Sequence, residues 1–135
     1  MKTFLFLSLS SLALLVGFGC DRKVPETANQ CITGIIVAQK CGVYALQVKE
    51  NNTGYANDWE GRDSRGQLVR YANVIGLLNL PANYQKIGTK IHVRVRQATA
   101  KEQEAPCYSD YPGPPSPMVY VLTASDKECI PLNGD

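Results

Sequence analysis

The sequence predicts an all-β domain of five strands, with one short helix between the third and the fourth. Three observations carry this reading. Residues 89–98, TKIHVRVRQA, alternate strictly: Ile91, Val93 and Val95 point one way, and Lys90, His92, Arg94 and Arg96 the other. That period of two belongs to a half-buried strand. Other β-branched runs are bounded by glycine and polar turns. Finally, 135 residues with five cysteines suit one small domain stapled by disulfides.

Taken in order, "ITGIIVAQK" (32–40) is β-branched and ends at Cys41-Gly42, a turn. "VYALQVK" (43–49) alternates, with Tyr44, Leu46 and Val48 on one side, so the two runs form a hairpin. Residues 50–67 are polar with three glycines and read as a long loop, a length more often functional or mobile. "LVRYANVIG" (68–76) is the third strand. In "NLPANYQKIG" (79–88), Pro81 near the start and Gly88 at the end bracket the short helix. Residues 89–98 are the fourth strand. The proline-rich "APCYSDYPGPPSP" (105–117) forms a stiff loop, "MVYVLTA" (118–124) the fifth strand, and the remainder a tail.

This order of elements resembles the OB-fold, a small five-stranded Greek-key barrel with its helix between strands three and four. Another small barrel or sandwich fits the same pattern. If 32–40 is one extended strand, Cys31 and Cys41 lie roughly 30 Å apart, far beyond disulfide reach. The pairing Cys31–Cys41 is thus excluded and two connectivities survive. In OB-like order the first strand runs antiparallel to the fourth and the third parallel to the fifth. That resemblance implies Cys31–Cys107 and Cys41–Cys129.

Ahead of the domain, Met1-Lys2 precedes an uncharged run, FLFLSLSSLALLVGF (4–18). Fifteen residues fall short of the roughly 20 that span a bilayer as a helix. Such a run reads as an export signal. Gly17-Phe18-Gly19 satisfies an ordinary signal peptidase, whereas Val16-Gly17-Phe18-Gly19-Cys20 resembles a bacterial lipoprotein signal, in which the cysteine is acylated and begins the mature chain. Cysteine arithmetic separates the two. With Cys20 lipidated, Cys31, Cys41, Cys107 and Cys129 make two bridges and no thiol is left over. The resulting division is a signal over 1–19, lipidated Cys20 and tether over 20–30, and the β-domain over 31–135. The resemblance implies anchoring to a bacterial envelope membrane, on the periplasmic side or the cell surface.

After cleavage 13 basic residues face 12 acidic ones, a balance without the field that steers nucleic acid. The row Lys90, His92, Arg94, Arg96 reads as the wet face of its strand. His92, the only histidine, points outward there, and no nucleophile–base pair is legible. Disulfide-bonded cysteines are not metal ligands, and Asp58, Glu60 and Asp63 lack the spacing of a calcium loop. No metal and no cofactor are expected.

Two loops carry aromatic side chains: Tyr55 and Trp59 in one, Tyr108 and Tyr111 in the other. In OB-like geometry the loop after strand four flanks the usual ligand face. The expectation is a non-enzymatic, lipid-anchored envelope protein acting by binding or structural contact. Its partners would be the membrane through its lipid and an envelope protein or polysaccharide. The alternative is a carbohydrate- or oligomer-binding module using Tyr55, Trp59, Tyr108 and Tyr111.

Overall fold

The computed structural model describes residues 30–49, 54–104, 107 and 111–131. Cys20, the signal, nearly all of the tether and Tyr108 lie outside the described residues. Six strands make up the sheet: β1 (Gln30–Lys40), β2 (Val43–Val48), β3 (Asn57–Arg62), β4 (Leu68–Leu78), β5 (Lys90–Gln97) and β6 (Met118–Ser125). The all-β class is as expected. Cys41 and Gly42, with φ of 55° and 79°, form the two-residue turn that joins Lys40 to Val43. Both turn residues at positive φ match the twist of a tight hairpin.

Pairings run β2-β1-β5-β6-β4-β3, and an additional β2–β4 pairing closes five of these strands into a ring. β1 is antiparallel to β5, and β4 is parallel to β6, as the OB-like order requires. Inside the ring lie Ile36, Leu46, Ile75, Leu77, Ile91, Val93, Val95 and Val119, all fully buried. They come from alternate positions on each strand, so the period of two becomes a single apolar interior.

Two expectations on the elements are corrected, and one element is added. The polar loop 50–67 contains a sixth strand, β3, which pairs with β4 as a hairpin. Its Asp63 organises the turn: Oδ1 accepts the Arg65 and Gln67 backbone N–H groups at 2.8 and 2.9 Å. The helix expected across 79–88 shrinks to a 3-10 turn, Ala82–Tyr84, after Pro81. No residue of that turn is fully buried and Tyr84 alone packs against the ring interior, too little apolar contact to hold a longer helix there. A one-turn helix unseen in the sequence, α1 (Ala100–Gln103), is fixed by the capping box between Thr99 and Glu102.

The disulfides are also corrected. The bridges are Cys31–Cys129 and Cys41–Cys107, with Cα separations of 5.8 and 5.3 Å. Strand direction alone suggests the other pairing, but closing a sheet staggers its strands. Through β5, Thr33 lies opposite His92 and His92 opposite Ser125, so the start of β1 is level with the end of β6. Through β2 and β4, Gln39 lies opposite Tyr44, Tyr44 opposite Leu77, and Leu77 beside Val119. The turn after β1 is thus level with the start of β6. Cys129, which follows β6, meets Cys31, and Cys107, which precedes β6, meets Cys41.

Two disulfides indicate an oxidising, extracytoplasmic compartment. Among the described residues no helix is long and apolar enough to cross a membrane.

Candidate binding cleft

The aromatic residues of the two loops part company in the structure. Tyr55 is a core residue, 3 % exposed and packed with the ring interior. Burial pushes its phenol up to about 12. It presents no surface for stacking, and the expectation that it does is corrected: the chain passes inward there before β3 begins. Trp59 and Tyr111 come together instead.

Trp59 stands on β3 directly opposite Tyr71 of β4, and the two rings stack at 6.1 Å. Both pack against a small outer cluster of Ala38, Ala45 and Val74. Gly61, two residues along the same face, leaves room for the indole, since a Cβ there would fall on Cζ3 and Cη2 of Trp59. The indole Nε1 donates to the carbonyl of Gly113 at 2.9 Å. The Tyr111 hydroxyl donates to Glu60 Oε2. These two bonds stitch the proline-rich segment to β3. The segment is seated farther along, where Pro115 is fully buried and the Gly76 N–H donates to Pro117 O at 2.8 Å.

Between the two elements lies an open cleft of about 250 Å³, lined by Asp58, Trp59, Glu60, Tyr111, Pro112, Gly113 and Pro114. Tyr111 is 60 % exposed, Trp59 partly buried. Asp58 is paired with Arg70 at 3.1 Å. Asp63 faces its own turn, and the backbone N–H of Gln67, ahead of the Arg65 contacts, holds its carboxyl below the ordinary carboxylate range. The three acidic residues considered together in the sequence therefore do different work.

Three members of the basic row on β5 are engaged locally, while Lys90 is exposed. Thr33 Oγ1 and His92 Nδ1 lie 2.8 Å apart, and Arg94 Nε donates to Ile130 O at 2.6 Å. Arg96 grips Glu102 with two bonds of 2.8 and 2.7 Å and lies 4.0 Å over the Tyr120 ring. These side chains serve the scaffold. Sequence reading missed the part played by Gly61 and Gly113, because a glycine beside a tryptophan signals nothing until the strand is known. The sequence matches no protein-family model, and no curated protein aligns with it significantly.

Proposed function

We propose that this protein is a lipid-anchored, non-enzymatic component of a bacterial envelope, acting by binding or structural contact. One observation carries the anchor: the four cysteines of the domain pair with one another, which leaves Cys20, after the apolar run 4–18, without a partner in its own chain. Acylation of that cysteine accounts for its thiol in an oxidising compartment. One chain alone gives marginal membrane binding, whereas a diacylglyceryl group with an added acyl chain anchors stably. Incorporation of an alkyne-palmitate probe in cells tests the assignment. Labelling should be strong in the wild type and absent in Cys20→Ser. Equal labelling of both, or none in either, rejects it.

A second reading is favoured by the cleft. An indole and a phenol beside a proline wall, rimmed by carboxylates, suit the apolar face and hydroxyl edge of a sugar ring. The protein would then be a carbohydrate- or oligomer-binding module held at the membrane by its lipid. Trp59 is the only tryptophan, so its fluorescence reports on this surface alone. Saturable quenching by envelope polysaccharide supports the reading. Unchanged emission across a glycan panel, with a partner protein recovered by crosslinking through Tyr111, returns the cleft to protein contact.

A further inference from the structure

The hydrogen-bonding capacity of the cleft is lopsided. Its lining holds two strong side-chain donors, and both are spent internally: the indole N–H on Gly113 O and the Tyr111 hydroxyl on Glu60. Pro112 and Pro114 have no backbone N–H to offer. Apart from backbone N–H groups such as that of Gly113, what remains is acceptor capacity. A carboxylate has about four lone-pair sites, and the Tyr111 hydroxyl occupies one on Glu60. Asp58 shares its charge with Arg70 at 3.1 Å, an exposed pair, and no ion pair to Glu60 is found among the described residues. The lining itself contains no cationic side chain.

A site of this composition disfavours anions, which need donors, and favours a ligand rich in N–H and O–H groups with an apolar face for Trp59 and Tyr111. A protonated amine adds attraction to the carboxylates and, over the rings, to the aromatic faces. We propose that the Trp59–Tyr111 cleft takes an amine-bearing sugar, its ring against the aromatic wall and its ammonium directed at Glu60. This rests on the carbohydrate reading of the cleft and names the sugar class within it.

A matched pair of probes isolates the amine: oligomers of glucosamine and of N-acetylglucosamine of equal length. They share a frame and differ in charge. Trp59 emission at mildly acidic pH, where the sugar amine is protonated, gives both affinities. The free-amine oligomer should bind about fivefold more tightly, the size expected of one solvent-exposed charge contact. That preference should shrink as salt is raised. In Glu60→Gln the oxygen that receives the Tyr111 hydroxyl is kept and the charge removed. There the preference should fall to about one, and its dependence on salt should disappear with it.

Equal affinity for the two oligomers in the wild type overturns the amine assignment and leaves the carbohydrate reading standing. Binding of neither overturns both. A preference unchanged by Glu60→Gln and by Asp58→Asn places the amine elsewhere and overturns the site. Should Glu60→Gln prove unstable, Asp58→Asn together with the salt series decides the matter.

Discussion

Substituting Gly61 by alanine should dislodge Trp59 and open the cleft. Gly61 is buried on β3, and the new methyl would occupy the space of Cζ3 and Cη2 of the indole. The neighbouring backbone is fixed by the Gly61–Val69 register of the hairpin, so the ring is the part that moves. Its movement breaks the bond from Nε1 to Gly113 O, worth about 1 kcal/mol net. It also ends the stack on Tyr71, worth about another 1 kcal/mol. Alanine restricts the unfolded chain more than glycine does and returns roughly 0.7 kcal/mol, while residual crowding against the strand costs about 1 kcal/mol. The net destabilisation is about 2 kcal/mol, or a fall in Tm of about 10 °C for a domain of this length. Thermal melts followed by circular dichroism measure the fall. Steady-state emission of the sole tryptophan should move to longer wavelength as the indole meets water. A Tm within about 2 °C of wild type, with unshifted emission, would refute the argument that Gly61 seats Trp59.

Three further outcomes follow from the same structure. The bridges close sequence separations of 98 and 66 residues, and in the chain-entropy model a difference that small changes their contributions by only about 0.4 kcal/mol around a value of about 4.5. Cys31→Ser/Cys129→Ser and Cys41→Ser/Cys107→Ser should therefore lower denaturant-unfolding stability almost equally, and non-reducing peptide maps should show these two pairings. The Arg96 side chain, ahead of the Thr99 backbone N–H, holds the Glu102 carboxyl down to about 2. A depressed carboxylate contributes stability above its unfolded value and loses it as pH falls toward its folded one, so stability should decline from about pH 4.5 to 2. Glu102→Gln should flatten that decline. Tyr55, its phenol raised to about 12 by burial, stabilises the neutral form; in the alkaline range stability should drop as pH climbs from about 10 to 12. Tyr55→Phe should weaken the drop, as read by denaturation at stepped pH.

The parts of this fold legible in the sequence are those where one apolar face repeats every second residue. Ile91, Val93 and Val95 announce β5, and Tyr44, Leu46 and Val48 announce β2, because burial of one face selects the residue types. β3 escaped because NDWEGR has no apolar alternation; hydrogen bonds to β4 and the Asp63 turn hold it. Its signal was the turn itself, Asp63-Ser64-Arg65-Gly66, ahead of an evident strand. The disulfide pairing depended on stagger around the ring, a property of closure that no local pattern encodes. Of the aromatic candidates, Trp59 and Tyr111 share a surface and Tyr55 does not, a distinction set by which side of the chain faces the interior at residue 55.

The proposed anchor requires that Cys20 carry lipid while the other four cysteines pair. Intact mass of the protein extracted from its own membranes, with and without reduction, tests it most directly. The expected mass is that of the residues from Cys20 onward bearing a diacylglyceryl and an acyl group, with a gain of four hydrogens on reduction for the two bridges. A water-soluble species without lipid and with a free thiol at Cys20 would contradict it.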